Sequence, residues 1–225
     1  LYKMQERLIT EFPDLLLENC SGGGARFDSG MLYYSPQIWC SDDTDAVERL
    51  EIQEGTALIY PLSTMGAHVS VCPNHSVGRV TPFETRGHVA LAGTFGYELD
   101  ITKLPEEEHK MIKEQTEMYH KYNDLVREGD YYRIASFSEN GHYDCYMEVA
   151  KDKSEALVTY VQVRGVPNNK SKKFKLQGLD PKAVYQLEGT EENYSGEILM
   201  KGGYLFKDFW GDAVSRLYHF VKKNK

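Results

Sequence analysis

Three carboxylates crowd the stretch WCSDDTD, where Asp42, Asp43 and Asp45 follow a short apolar run and precede a helical pattern beginning at Ala46. A β/α fold keeps its chemistry at the C-terminal ends of its strands, and carboxylic acids placed there suit proton transfer or nucleophilic attack. Earlier in the chain, LLLENCSGGGARFD repeats the arrangement: an apolar run, then Cys20 and Ser21, then Gly22, Gly23 and Gly24. Glycines admit backbone conformations closed to other residues and let the main chain come close to a ligand. Two adjacent strands thus deliver polar groups to one rim.

The elements that must hold this rim follow from periodicity. An amphipathic pattern through Leu1, Met4, Leu8, Ile9 and Phe12 predicts a helix that ends before Pro13. Leu15, Leu16 and Leu17 read as a strand covered on both faces, and Gln37 to Cys40 as the next. Asp45 and Glu48 form a capping pattern for a helix through Glu54, stopped by Gly55. TALIY, residues 56 to 60, reads as a third strand, and a long loop runs from Leu62 to Val80. Thr81, Pro82 and Glu84 give a capping box for a helix through Ala92, and Phe95 to Ile101 a fourth strand. Pro105 and three glutamates open the longest helix, with a buried stripe from Met111 to Val126 and an end at Gly129.

Beyond Asp130 the period becomes alternating. Seven runs, YYRIASFS, HYDCYMEVA, EALVTYVQV, KKFKLQGL, AVYQL, GEILMKGGYLF and SRLYHFVKK, are separated by turns such as Glu139-Asn140-Gly141 and Pro167-Asn168-Asn169. They predict an antiparallel β-sandwich over residues 131 to 225, after an α/β unit over residues 1 to 130. A full eightfold barrel needs roughly 200 residues, so the first unit is a small open sheet or half a barrel.

Composition narrows the functional classes. Acidic residues outnumber basic ones 34 to 26 and the net charge is -8, which argues against nucleic acid as a partner. No apolar run approaches the ~20 residues of a membrane span, and no leader precedes the first helix, so no membrane partner is expected. Cys20, Cys40, Cys72 and Cys145 include no CxxC pair, which suits a reducing, cytoplasmic setting. His68, Cys72 and His75 lie near one another, but no fourth ligand completes a tetrahedron and no metal is expected. The carboxylates lack the glycine and distal glutamate of a calcium loop, and the glycines lack the lysine of a phosphate-binding loop. No cofactor is called for. Leu1 already stands inside a helical pattern, so the reading expects a longer protein.

Together ENCSGGGARFDSGMLYYSPQIWCSDDTDAVERL, YPLSTMGAHVS, and PNH with GRVTPFETRGHVALAGTFGYELDITKL resemble the C-terminal half of a bacterial α-galactosidase of glycoside hydrolase family 36. The resemblance is close over residues 14 to 104 and looser over the sandwich. It implies strands five to eight of a (β/α)8 TIM barrel followed by the C-terminal β-sandwich. It also implies a retaining mechanism in which Asp42 is the proton donor and general acid/base. Cys20, with Ser21, Gly22 and Gly23, would line the galactose pocket. The family's nucleophile sits in a Lys-Trp-Asp motif on strand four, which this chain does not contain. Cys40 stands where many relatives have threonine, and Ala25 where glycine is common.

The residue types fit such chemistry. Retaining hydrolysis needs one carboxylate to attack the anomeric carbon and another, roughly 5 to 5.5 Å away, to protonate the leaving oxygen. Asp43 reads as a hydrogen-bonding support and Asp45 as a helix cap. The expected substrate is a terminal α-galactoside of the melibiose or raffinose type, and the expected partners are the remaining half of the enzyme and further copies in a homo-oligomer. Without the nucleophile this chain is expected to be inactive alone and, with open strand edges, to self-associate. Two alternatives are a non-catalytic assembly module and a galactosyl transferase of related fold.

Overall fold

The computed structural model describes residues 1–168 and 171–223, so Asn169 of the expected 167–169 turn lies outside the described residues. Four short strands run parallel in chain order. β1 (Glu18–Asn19) pairs with β2 (Gln37–Ile38), a bridge from Ile38 to Met65 joins β2 to β3 (Gly66–Ser70), and β3 pairs with β4 (Thr94–Glu98). Helices α1 (Tyr2–Glu11), α2 (Ser29–Tyr34), α3 (Ala46–Ala57), α4 (Phe83–Ala90) and α5 (Glu106–Glu128) alternate with them. This is half of a β/α barrel, and all its strand ends after Asn19, Ile38, Ser70 and Glu98 share one rim.

Two expected strands shift, each for a local reason. Leu15 to Leu17 carry no regular pairing, and Leu16 is 85% exposed. The pairing moves to Glu18–Asn19, where the buried Asn19 side chain bonds Ser35 Oγ and accepts from Gln5 Nε2 at 2.9 Å. TALIY is not a strand: α3 passes through Gly55, where a side chain would meet open space, and Thr56 Oγ1 donates back to Ile52 O at 2.9 Å. Leu58 and Ile59 lie exposed after the helix. The third strand is instead Gly66–Ser70, inside the expected loop, and all five residues are buried. The α4 capping box also fails, because Pro82 takes the cap position and Thr81 Oγ1 is left buried without a partner. The α1 stripe stays largely on the surface, and the buried residue of that helix is Gln5.

The rest is all-β apart from α6 (Phe137–Asn140) and a π turn at Ile198–Gly202. β5 (Asp130–Ala135), β6 (Tyr143–Val149), β7 (Glu155–Gln162), β9 (Val184–Leu187), β10 (Asn193–Ser195) and β12 (Val214–Lys222) form one antiparallel sheet in the order 10-9-12-7-6-5. β8 (Lys172–Phe174) pairs with β11 (Tyr204–Phe206) in the facing layer. Between the layers lie Met147, Val158, Tyr160, Leu176, Tyr185, Phe206 and Phe220, all fully buried. GEILM, read as strand, forms the π turn because Leu199 turns inward and its carbonyl accepts from Leu176 N at 3.0 Å.

The opposite face of the six-stranded sheet packs on the half barrel. Tyr146, Val161 and Val163 cluster with Ala46, Val47 and Leu50 of α3 and with Val89 and Ala92. Leu157 joins Leu62, Met65, Leu91 and the Tyr122, Leu125 and Val126 stripe of α5. The two folds therefore share apolar clusters. Thr85 Oγ1 of α4 also donates to Ala213 O at 2.8 Å across this boundary.

Candidate active site

At the rim, the glycine loop after β1 is pressed against the acidic loop after β2. A side chain at Gly23, where φ is +75°, would stand 2.7 Å from Ser41 Cα and 3.0 Å from Asp42 N. At Gly24 it would stand 2.7 Å from Cys40 O. Real Cβ atoms do not approach so closely, so only glycine permits this seating. It brings Gly23 beside the backbone of Ser41 and Asp42, with Ser21 N donating to Gly23 O at 3.0 Å to close the loop. Cys20 is a free, exposed thiol immediately before this loop, and Asp42 is exposed.

The other carboxylates of the motif are committed to structure. Asp43 N donates to Ser41 Oγ at 3.1 Å, and Asp43 Oδ1 accepts from Asp45 N at 3.0 Å. Asp45 caps α3, accepting from Val47 N at 3.0 Å and Glu48 N at 3.1 Å, and pairs with Arg79, which also bonds Glu48 at 2.9 Å. Thr44 is held from the end of β3 and the loop after it: Ser70 Oγ donates to its carbonyl at 2.7 Å, and Asn74 Nδ2 to its hydroxyl at 3.0 Å. Asp42 thus stands on a loop braced on both sides.

Sequence reasoning missed the layer below. Trp39 stacks on His68 of β3, ring centroids 4.2 Å apart and planes within 9°. His68 Nε2 lies 3.2 Å from Glu98 Oε2 at the end of β4. Strand alternation turns Ala67, Val69, Phe95 and Tyr97 towards the helices, and so turns His68, Gly96 and Glu98 to the inner face. Burial, and then the nearby Arg49 guanidinium, push His68 down to about 3, so the ring is neutral. The expected strand from Phe95 to Ile101 put Glu98 in its middle, whereas β4 ends at Glu98 and leaves that carboxylate at the rim. The spacing drew attention to His68 only as a neighbour of Cys72 and His75, and nothing in it marked Arg49. Among the described residues, no group of three or more histidines, cysteines or carboxylates is placed to hold a metal, and His68 faces Trp39 and Glu98.

Residues 1–129 match the family model Melibiase, and residues 143–220 match the glycosyl hydrolase family 36 C-terminal domain. The chain belongs to glycoside hydrolase family 36. It is 51% identical over 223 residues to the bifunctional alpha-galactosidase/sucrose kinase AgaSK of Mediterraneibacter gnavus, covering 99% of this chain and 24% of that protein. It is 49% identical over 218 residues to the alpha-galactosidase AgaA of Geobacillus stearothermophilus, covering 97% of this chain and 30% of that protein. The crystal structure of that family 36 enzyme superposes with a TM-score of 0.95 at 48% identity, over 99% of this chain and 31% of the enzyme. Variants of the same enzyme with an aspartate replaced have been solved in complex with raffinose and with stachyose. The chain spans about a quarter to a third of the length of these relatives.

Proposed function

We propose that this chain carries the acid/base half of a retaining α-galactosidase site. Asp42 protonates the departing glycosidic oxygen and then activates water, and Cys20, Ser21, Gly22 and Gly23 border the galactose. The observation that carries the reading is the seating of Gly23 against Asp42 N, which puts the proposed donor and the proposed sugar loop on one rim. The attacking carboxylate comes from a part of the enzyme outside this chain, so the isolated chain is inactive. The substrate is an α-galactoside of the raffinose or melibiose class, in keeping with the names of the relatives. The division at residue 130, assembly into a homo-oligomer and a cytoplasmic setting belong to the same proposal. The setting is supported by four free cysteines.

The test is Asp42→Ala in the complete enzyme. Loss of a general acid costs about 10²- to 10⁴-fold, and the loss falls hardest on poor leaving groups. Melibiose hydrolysis therefore collapses, while turnover of p-nitrophenyl α-galactoside falls less and is rescued by azide. Unchanged melibiose turnover would remove the proposal. Product analysis with sucrose as acceptor separates hydrolysis from transfer.

A further inference from the structure

The turn that follows β3 grips the acidic segment at both of its ends. Asn74 N donates to Arg79 O at 2.9 Å and Asn74 O accepts from Gly78 N at 2.8 Å, so residues 74 to 79 close on themselves. Arg79, at one end, pairs with Asp45 and with Glu48 in the first turn of α3. Asn74, at the other end, reaches Thr44, two residues after Asp42. Support of the helix start accounts for the first grip. It does not account for the second.

Asn74 is buried, and its side-chain amide has every hydrogen-bonding place filled. Ser76 N and Val77 N, which can only donate, lie 2.9 and 3.2 Å from Oδ1 and so fix which way round the amide sits. Nδ2 is thereby turned to Thr44 Oγ1 at 3.0 Å and, more loosely, to Ser70 Oγ at 3.5 Å. Ser70 Oγ spends its own proton on Thr44 O at 2.7 Å. Thr44, itself buried, is therefore held by its hydroxyl and its carbonyl at once.

A shift at Thr44 passes to Asp42 through a single residue, Asp43, which is tied to Ser41 Oγ on one side and to Asp45 N on the other. Upstream, Gly23 is packed against Ser41 Cα and Asp42 N. The exposed Asp42 thus stands between two fixed points, one built from glycine and one from Asn74. We propose that Asn74 is a positioning residue that, through the Thr44 hydroxyl, sets the reach of the Asp42 carboxyl towards the departing oxygen. This rests on the assignment of Asp42 as the acid/base. A displacement of about 1 Å in a reacting group can cost on the order of 10²-fold in rate, so a loosened Thr44 is felt in the chemistry before it is felt in the fold.

The experiment compares Thr44→Val with Thr44→Ser in the complete enzyme, on melibiose and on p-nitrophenyl α-galactoside. Valine keeps the branched shape and removes the hydroxyl, whereas serine keeps the hydroxyl. Thr44→Val is expected to lower kcat on melibiose about tenfold with KM little changed, and kcat on the nitrophenyl substrate by less than about threefold, because nitrophenolate departs with little help from an acid. Thr44→Ser is expected to restore most of the melibiose rate. Asn74→Ala is expected to give the same pattern as Thr44→Val, and the double variant to lose no more than Asn74→Ala alone. If Thr44→Val does not fold, as judged by circular dichroism, Ser70→Ala, which removes the bond to Thr44 O, carries the test through the same ratio of rates. Equal losses on the two substrates, or a lower melting temperature with both kcat values unchanged, would overturn the proposal in favour of a purely structural role. Additive losses in the double variant, or a raised KM with kcat unchanged, would overturn it as well. Failure of the acid/base reading itself is separate, because it appears as retained melibiose turnover in Asp42→Ala.

Discussion

Arg133 on β5 places Nη1 2.7 Å from Oε1 of Glu54 on α3, pinning the six-stranded sheet to the half barrel. Glu54 Oε2 is buried there without a partner, and so are both carboxyl oxygens of Glu148. With Asp144 they make a boundary rich in sealed carboxyls. Burial raises Asp144 to about 7 and Glu148 to about 8.

A carboxyl whose proton affinity is higher folded than unfolded stabilises fully below its unfolded pKa, and that contribution fades as pH rises through the folded value. Stability in urea should therefore fall by on the order of a few kcal/mol between pH 6 and pH 9. Glu148→Gln should flatten that fall and leave the variant more stable than the parent at pH 9. The buried imidazoles act at the other end, with His88 lowered to about 4 and His68 to about 3 by desolvation. Their contribution is present above about pH 6.5 and is lost as pH drops through those values.

Gly23→Ala should damage both folding and turnover. The added methyl meets Ser41 Cα at 2.7 Å in a backbone conformation that side chains resist. A cost of about 1 to 3 kcal/mol is expected, together with a displaced Asp42 loop. Gly22→Ala, at φ +54° with open space around it, should cost about 1 kcal/mol and spare more of the kcat/KM. Melting temperatures and kinetics of the two variants side by side decide this.

Asp45→Ala should weaken α3 by about 1 kcal/mol or somewhat more, since the cap and its Arg79 partner are lost together. Its distinguishing mark is a lower melting temperature with kcat of the complete enzyme little changed. A large loss of kcat in folded enzyme would assign Asp45 a part in the chemistry.

Leu157→Ala should cost about 2 to 5 kcal/mol, because the side chain is completely buried between sheet and half barrel. The shared clusters predict that the two folds unfold together. Trp39 reports on the first and Trp210 on the second, so single-tryptophan variants should give coincident fluorescence transitions. Separate midpoints would contradict this.

The alternation of β and α, the change of period near residue 130 and the long helix α5 were legible because each rests on a pattern many residues long. The stripe from Met111 to Val126 packs as its spacing implies. What misled was local composition. TALIY has strand-forming residues, yet a helix already propagating from Asp45 gains more by continuing than by stopping at one exposed glycine. Gly66–Ser70 carries little β propensity and is a strand because both its faces are covered. At the rim, the glycine loop and the acidic loop could be read as neighbours because they lie within one short stretch of chain. Arg49, His68 and Glu98 come together only after the fold forms, from three elements far apart in sequence.

The clusters joining Leu157 and Tyr146 to the barrel helices also bear on how such an enzyme can be rebuilt. The terminal module supplies part of the outer lining against which the barrel's own helices rest. Grafting a different module in its place would require redesigning α3, α4 and α5 as well, so recombination at this joint should yield insoluble chimaeras unless the graft preserves the sheet face bearing those side chains.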